Sequence, residues 1–239
     1  MGCRQACEGA ICDETQLTSR VMNRDRISVL VVDDHDLYRT GLSTLLAAKP
    51  DLDVLAQASG GRRGIRLAEE LRPDVVLMDV RMPDLDGATA TREIVQRHPS
   101  ARVIALTVAS DVADIAAMLR AGACGFVGKE TPIDSLVVAI RAAAQGVAWL
   151  SPRAAEVVLA QLRRDDGKPD FDSGPVEELS SRELAVLRLI ARGMENAQIA
   201  DELRISPRTA KNHVSNILAK LGLPNRVQAA IYAVRRGLG

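Results

Sequence analysis

The chain has 239 residues, which is too long for one small domain and suits two domains that each bury a core. Its 31 basic and 31 acidic residues cancel, but the segment from Val176 onward carries ten basic and six acidic residues and is net positive. Only two Phe, two Tyr and one Trp are present, too few for the stacking surfaces of single-stranded nucleic-acid binders. Double-stranded DNA is therefore the expected partner of the basic C-terminal part.

The N-terminal leader, residues 1–26, is expected to be disordered and contains Cys3, Cys7 and Cys12. It lacks the apolar core of a signal peptide, and no apolar stretch long enough to span a membrane follows it, so we expect a cytoplasmic protein without membrane contact. Three cysteines can bind a metal together with a fourth ligand, although their spacing includes no C-x2-C pair. The alternative is that Met22 is the true start and the leader is dispensable.

From Ile27 to Gly146, short β-branched segments alternate with helical ones, which predicts βα units around a parallel sheet. Five strands are predicted, at Ile27–Val32, Asp53–Gln57, Val75–Met78, Arg102–Thr107 and Cys124–Val127. The helices between them are predicted at residues 36–48, 63–71, 88–97, 111–121 and 133–145. The first, third and fourth strands are apolar nearly throughout, which is typical of strands buried on both faces. Residues 27–148 are therefore predicted to form an α/β domain with a five-stranded, doubly wound parallel sheet.

The remainder of the chain changes pattern. Residues 149–178 are predicted to form a helical and flexible linker, in which a helix over Ser151–Arg164 precedes a segment dense in Gly, Pro and Asp. Residues 179–239 are predicted to form an all-α domain that opens with a capping box of Ser180 and Glu183. Its four helices are predicted at Arg182–Ala191, Ala197–Leu203, Pro207–Leu221 and Arg226–Arg235.

Polar side chains mark the carboxyl ends of four predicted strands. Asp33 and Asp34 follow the first strand, Asp79 follows the third, Thr107 ends the fourth and Lys129 follows the fifth. Each alone is commonly a turn former, a strand residue or a surface charge, but strand ends of a parallel sheet converge on one crevice. Crowded carboxylates favour a divalent cation, and oxygen ligands suit Mg²⁺. We expect Asp79 to be a nucleophile toward a phosphoryl group, with Lys129 and Mg²⁺ neutralising charge and Thr107 donating its hydroxyl.

The segments VVDDH, LMDVRMPDLDG, ALT and AGACGFVGK resemble the signature segments of the receiver domain of bacterial two-component response regulators. The resemblance implies that Asp79 is the phosphoacceptor. It also implies that Mg²⁺ is held by Asp33, Asp34, Asp79 and the backbone carbonyl of Arg81.

The same resemblance implies a conformational switch and an order of the strands in the sheet. Thr107 is the implied switch hydroxyl, Lys129 pairs with the phosphoryl group, and Phe126 occupies the position of an aromatic rotamer switch. Phe126 lacks the hydroxyl of a Tyr, so packing alone must hold it inward. The implied strand order is 2-1-3-4-5, with the pocket at its switch point.

The stretch NAQIADELRISPRTAKNHVSNILAKLGL is typical of two helices joined by a tight turn, the second of which is capped by Ser206 and Pro207. Opposite its apolar stripe lie polar residues suited to phosphates and base edges in the major groove: Arg208, Lys211, Asn212 and Ser215. A solvated surface is the commoner role of such a face. Its occurrence within a net positive helix-turn-helix pattern favours DNA binding.

This stretch, with LSSRELAVLRLIARG before it and NRVQAAIYAVRRGL after it, is similar to the LuxR-type helix-turn-helix domain over residues 179–238. The likeness implies that the helix from Pro207 to Lys220 is the recognition helix and that the last helix helps to form a dimer. The implied DNA contacts are Arg208, Thr209, Lys211, Asn212, His213, Ser215 and Lys220. Ala210 stands where Val is more usual, and His213 is either a DNA contact or a partly buried helix residue.

Together the two resemblances imply a response regulator of the NarL/FixJ type, which is not an enzyme. A sensor histidine kinase would phosphorylate Asp79, and the receiver would then switch binding to double-stranded DNA, as a homodimer when active and with RNA polymerase as a further partner. One alternative is a transcription factor with a phosphorylation-independent receiver. Another is a Mg²⁺-dependent phosphohydrolase, although the sequence includes no evident lid and carries a DNA-binding module.

Overall fold

A parallel sheet forms the centre of the N-terminal domain in the computed structural model, which describes residues 26–108, 112–150, 154–156 and 179–238. Its strands are β1 (Ile27–Val32), β2 (Leu52–Ala58), β3 (Val75–Asp79), β4 (Arg102–Thr107), β5 (Gly125–Gly128) and β6 (Trp149–Leu150). They lie in the order β2-β1-β3-β4-β5-β6. Because β3 and β4 are apolar and lie between two helical layers, β3 is buried throughout and β4 in all but its last residue.

Helices cover both faces of the sheet, as predicted. They are α1 (Asp36–Ala47), α2 (Gly61–Leu71), α3 (Gly87–Arg97), α4 (Val112–Ala121) and α5 (Ile133–Ala144). Leu46 of α1 and Ile140 of α5 are fully buried in the core on one face. Ile94 of α3 and Met118 of α4 belong to the core on the other face, together with residues of α2. The doubly wound α/β class is confirmed.

The sheet has one strand more than the five predicted. The predicted order holds for the first five strands, and β6 adds to the outer edge in parallel, with Trp149 beside Gly125 and Leu150 beside Phe126. A strand of two residues is too short to display alternating polarity, so the sequence pattern does not reveal it. The leader 1–25 and most of the helix predicted after residue 150 lie outside the described residues, apart from a helical turn at 154–156.

The C-terminal domain is built from four helices around a core of its own. They are α6 (Ser181–Ala191), α7 (Asn196–Leu203), α8 (Pro207–Lys220) and α9 (Arg226–Arg235). The predicted capping box is present, since the Ser180 backbone N–H donates to Glu183 Oε2 at 2.8 Å. Ser206 caps α8 by accepting from the Thr209 N–H at 3.0 Å. No helix in the described part of the chain is long and apolar enough to cross a lipid bilayer.

The two domains pack against each other through a surface that we call the domain interface. Val227 and Ile231 of α9 join the receiver-side core that contains residues of α2, α3 and α4. Asn225 Nδ2 donates to the backbone carbonyl of Ala123 at 2.9 Å. Asn196 Nδ2 donates to the backbone carbonyl of Gln145, also at 2.9 Å. Apolar packing and two side-chain-to-backbone bonds therefore hold the domains together.

Candidate phosphoryl-acceptor site and nucleic-acid interface

The carboxyl ends of β1, β3, β4 and β5 meet in one crevice, as the sequence predicted. Strand register places Val32 beside Met78 and Asp79 beside Leu106. Thr107 lies beside Gly128 in the next pair. The residues at or just beyond these ends are therefore brought together, and they are the five predicted from the sequence: Asp33, Asp34, Asp79, Thr107 and Lys129.

Lys129 is the cation at the centre of the crevice. Its Nζ lies 2.8 Å from Asp33 Oδ2 and 2.9 Å from Asp79 Oδ2, and its side chain is only 9% exposed. Burial by itself would lower the pKa of Lys129, but hydrogen bonds to Asp33 and Asp79 outweigh burial and raise this pKa. Its backbone N–H donates to the Thr107 carbonyl at 2.8 Å, which fixes the start of the loop after β5. The ammonium group therefore remains charged and joins two carboxylates.

Asp79 lies almost fully buried at the end of the central strand, with 4% of its surface exposed. Burial raises the pKa of Asp79, and the charge of Asp33 acts in the same direction. The hydrogen bond from Lys129 lowers this pKa but does not offset burial. A second cation close to Asp79 would favour the ionised, nucleophilic carboxylate.

The acidic residues of the crevice fit a divalent cation. Asp33, Asp34, His35 and Asp79 each offer a ligand atom, and these atoms lie within 4.8 Å of one another. Asp33 Oδ2 and Asp34 Oδ1 are buried from solvent. Their close polar neighbours are Lys129 Nζ, in the ion pair with Asp33, and His35 Nδ1, which lies 2.9 Å from Asp34 Oδ1. Carboxylate oxygens with free lone pairs are the ligands that Mg²⁺ takes in proteins.

Two residues of the crevice were missed by sequence reasoning, His35 and Tyr38. The His35 N–H donates to Asp33 Oδ1 at 2.9 Å, which orients that carboxylate. The Tyr38 ring centroid lies 5.1 Å from Lys129 Nζ, a cation–π contact. Burial raises the pKa of Tyr38 to about 12, with a further contribution from the charges of Asp33 and Asp79. Their closeness to Asp33 in the sequence could have indicated this placement, because α1 begins three residues after Asp33 and its first turn stays near the crevice.

Arg81, Thr107 and Phe126 lie on the elements around Asp79. An Arg81 backbone hydrogen bond to the Asp79 carboxylate places this peptide at the site, while the Arg81 side chain pairs with Asp114 at 2.7 Å. Thr107 is half-buried at the end of β4. Phe126 is 1% exposed within the core that faces α2, α3 and α4, so packing holds its ring inward.

The predicted DNA-binding residues of α8 differ in how available they are. Five are exposed, and four of these follow one another along the helix: Arg208, Lys211, Asn212 and Ser215, with Lys220 at its end. Thr209 is half-buried, and its hydroxyl lies 2.8 Å from the Ser206 hydroxyl at the helix cap. His213 is also half-buried, which leaves both of its predicted roles open. Lys220 Nζ lies 2.7 Å from Glu183 Oε2, so its charge is already paired within the domain.

A cleft of about 880 Å³ separates the C-terminal half of α8 from the receiver. Ser215 and Ala219 line one side of this cleft, and Arg92, Gln96 and Arg120 of α3 and α4 line the other. The receiver therefore lies directly beside the C-terminal half of α8.

Comparisons with known proteins agree with this two-domain geometry. Residues 29–141 match the model of the response regulator receiver domain, and residues 177–233 match that of the bacterial regulatory proteins of the luxR family. The chain is 41% identical to the transcriptional regulatory protein LiaR of Bacillus subtilis, over 89% of this chain and 99% of LiaR. It is 35% identical to the nitrate/nitrite response regulator protein NarL of Escherichia coli, over 88% of this chain and 96% of NarL.

A solved structure of another protein is similar to this chain in fold. The Salmonella typhimurium RcsB response regulator has a TM-score of 0.51 and 25% sequence identity, over 88% of this chain and 99% of that chain. The similarity therefore spans both domains and their order along the chain. The chain belongs to the NarL/FixJ-type response regulators, which join a receiver domain to a luxR-family DNA-binding domain.

Proposed function

We propose that this chain regulates transcription under the control of a phosphoryl group that Asp79 accepts from a sensor histidine kinase. The observation that carries the proposal is the contact of one buried ammonium group, that of Lys129, with the carboxylates of Asp33 and Asp79. This is the arrangement needed to neutralise an incoming phosphoryl group at a carboxylate nucleophile. The same chain carries a luxR-family DNA-binding domain, through which phosphorylation of Asp79 can act on transcription.

The proposed chemistry is transfer of one phosphoryl group. A carboxylate oxygen of Asp79 attacks the phosphorus of a phosphohistidine, an O–P bond forms, and the P–N bond breaks as the imidazole leaves. Asp33, Asp34, Asp79 and the backbone carbonyl of Arg81 would hold Mg²⁺, which would supply positive charge at the transferred group. Lys129 moves its ammonium from an Asp79 oxygen to a phosphoryl oxygen.

Strands β4 and β5 offer a route from the phosphoryl group to the domain interface. Thr107 ends β4, and in the proposed active state its hydroxyl donates to the phosphoryl group while Phe126 in β5 repacks. Ala123 lies two residues before the other end of β5, and its carbonyl accepts the hydrogen bond from Asn225. A phosphoryl group can favour release only through contacts that the packed arrangement lacks, and the Thr107 bond is such a contact.

Release of the C-terminal domain frees two surfaces at once. The cleft beside Ser215 opens, so that the recognition helix can enter a major groove. Val227 and Ile231 of α9 leave the receiver core and become available to a second copy, in line with the predicted homodimer. Packing of α9 on the receiver and dimerisation through the same face of α9 exclude each other, which couples phosphorylation to dimer formation.

A regulator, rather than an enzyme with turnover, fits this arrangement best. The family consists of DNA-binding transcriptional regulators, and the attached DNA-binding domain speaks against a phosphohydrolase that uses the same carboxylates. Once bound to DNA as a dimer, the protein would act on transcription by RNA polymerase.

The experiment that tests the proposal is selection of binding sites from random duplex DNA, with and without acetyl phosphate and Mg²⁺. We expect phosphorylation to enrich a two-fold symmetric site whose halves lie about 10 base pairs apart or a multiple of this distance. Asp79→Asn serves as the matched control and should select no such site under either condition. Equal selection by the phosphorylated and unphosphorylated protein would instead support the phosphorylation-independent alternative.

A further inference from the structure

Arg226, the first residue of α9, is a buried cation at the domain interface. Arg226 is 9% exposed. Its Nη1 donates to Asn196 Oδ1 at 2.9 Å, and its Nη2 donates to the backbone carbonyl of Met194. Both acceptors are neutral, and no carboxylate of the described residues forms an ion pair with Arg226.

The charge of Arg226 is poorly compensated in its surroundings. Burial lowers the pKa of Arg226 to about 10, and the nearby charge of Arg102 lowers it too. Glu195 acts in the opposite direction but is exposed and too weak to offset burial. A guanidinium retains its charge near neutral pH even with this pKa, and a buried charge without a counter-ion is unfavourable.

Arg226 lines a cavity of about 330 Å³ that lies between the two domains. Leu150 of the receiver and Ile190 and Ile231 of the C-terminal domain form apolar parts of the wall, and the exposed Glu195 also lines it. The volume falls at the lower end of the range for small-molecule sites. The buried part of the cavity therefore combines an apolar wall with the guanidinium of Arg226, and this part suits an apolar molecule with one negative charge.

We propose that this cavity binds a small apolar monocarboxylate, with the carboxylate paired to Arg226 and the hydrocarbon part against the apolar wall. A guanidinium has five N–H donors, and two of those of Arg226 are used by Asn196 and Met194, so three remain for the ligand. The carboxylate supplies the missing counter-charge, and the volume limits the ligand to an aryl carboxylate or a short alkanoate. Long fatty acids exceed the volume.

Such a ligand would act on the packed arrangement of the domains, because Leu150 and Ile231 on opposite sides of the interface both line the cavity. A ligand that contacts both domains binds the packed state better than the released state. If the proposed function holds, the carboxylate therefore opposes phosphorylation and weakens DNA binding. Binding itself does not depend on the proposed function.

The test is isothermal titration calorimetry of the full-length protein with benzoate and hexanoate, with benzamide and hexanol as uncharged controls. We expect binding of one carboxylate per chain with a dissociation constant of about 1 mM or below. Arg226→Met should weaken this binding about tenfold or more, because it removes the charge but retains the length of the side chain. Arg92→Met is the matched control: it removes an exposed arginine that lines the other cleft and should leave binding unchanged.

A second variant keeps the test decisive if Arg226→Met fails to fold. Ala230→Leu fills the cavity while the guanidinium stays in place, and it should also abolish binding. Absence of carboxylate binding to the wild type, or equal binding by wild type and Ala230→Leu, would overturn the proposed site. Equal binding of benzoate and benzamide would show that Arg226 plays no part. Failure of this test leaves the phosphorylation of Asp79 untouched, since that is measured by labelling.

Discussion

Two buried cations, Lys129 and Arg226, occupy opposite kinds of environment. Lys129 lies between two carboxylates, and its pKa is raised. Arg226 contacts only neutral oxygens, and its pKa is lowered to about 10. A compensated buried charge is stabilised, whereas a buried charge without a counter-ion is unfavourable. We therefore expect the proposed phosphoryl site to hold its cation in place before the reaction, and the surroundings of Arg226 to be less stable.

Removing the acceptor at the compensated site should have the largest effect. We predict that Asp79→Asn abolishes labelling by acetyl phosphate, since no other carboxylate of the crevice ends the central strand. Mass spectrometry of the intact protein measures the labelled fraction. Asp134→Asn, which removes an exposed carboxylate paired with Lys49, should label like the wild type. Labelling of Asp79→Asn at the wild-type rate would show that the acceptor is another residue.

Removing the cation itself should slow the reaction without abolishing it. We predict that Lys129→Met lowers the rate of labelling about 100-fold, because one preorganised charge at the transferred group is lost. The rate is measured over a time course with acetyl phosphate at saturating Mg²⁺. Lys49→Met, which removes a lysine paired with Asp134 outside the crevice, is the control. A rate within twofold of wild type for Lys129→Met would contradict the assigned role.

The domain interface is best tested at Asn225, which has two separable contacts. Its Oδ1 caps α9 by accepting from the Gln228 N–H at 2.9 Å, and its Nδ2 donates to the Ala123 carbonyl. Asn225→Asp keeps the cap but loses the donor and places a charge against that carbonyl. We expect the affinity of the unphosphorylated protein for DNA to rise about tenfold, because the packed state is destabilised.

Fluorescence anisotropy with a selected duplex gives the DNA affinity of Asn225→Asp, and thermal unfolding checks that its fold is retained. Phosphorylation should then add less to the affinity of Asn225→Asp than to that of wild type, because the interface is already weakened. If the two proteins bind DNA equally before phosphorylation, the Asn225 bond does not restrain the DNA-binding domain.

A third cation, Lys211, lies in solvent on α8 and should behave as a simple phosphate contact. We predict that Lys211→Ala weakens binding to all duplexes by a similar factor and reduces the slope of log affinity against log salt by about one. Anisotropy titrations at several salt concentrations measure both quantities. Arg236→Ala, an exposed arginine at the end of α9, controls for net charge. An unchanged affinity and slope would place Lys211 away from DNA.

The smallest effect is expected at Lys220, whose partner is Glu183. The hydrogen bond from Lys220 and that from the Ser180 backbone lower the pKa of Glu183 to about 2, from an ordinary value of 4.5. Folding therefore favours the ionised form of Glu183. The contribution of this carboxylate to the stability of the folded protein is complete above pH 4.5 and is lost as the pH falls toward 2. Because Lys220 is 42% exposed, we expect Lys220→Met to cost at most about 1 kcal/mol.

Urea unfolding of the full-length protein, followed by the circular dichroism of its helices, measures this cost near neutral pH and again as the pH falls below 4.5. The difference between wild type and Lys220→Met should shrink as Glu183 becomes protonated. A difference that grows in acid would contradict the assigned pairing.

The sequence predicted the crevice well because the physics of a parallel sheet places strand ends together. Asp33, Asp79, Thr107 and Lys129 each lie at a strand end, so the sheet determines their neighbours. Cys124, the first residue of the fifth predicted strand, is also buried, with 7% of its surface exposed. His35 and Tyr38 were missed because their roles depend on the direction of the first turns of α1, which strand patterns do not report.

The domain interface was beyond sequence reasoning for a different reason. Asn196 and Asn225 donate to the backbone carbonyls of Gln145 and Ala123. Because every residue type has a backbone carbonyl, the sequence does not indicate which carbonyls accept such hydrogen bonds. The apolar residues Val227 and Ile231 fit a dimer face as well as a receiver contact. Strand β6, with two residues, is too short to produce a pattern.

If a phosphoryl group on Asp79 releases the DNA-binding domain, phosphorylation must raise the affinity of the protein for DNA. Fluorescence anisotropy with a selected duplex is measured for wild type and Asp79→Asn, each with and without acetyl phosphate and Mg²⁺. We predict that phosphorylation raises the affinity of the wild type about tenfold or more and leaves that of Asp79→Asn unchanged. Equal affinities of the labelled and unlabelled wild type would contradict it.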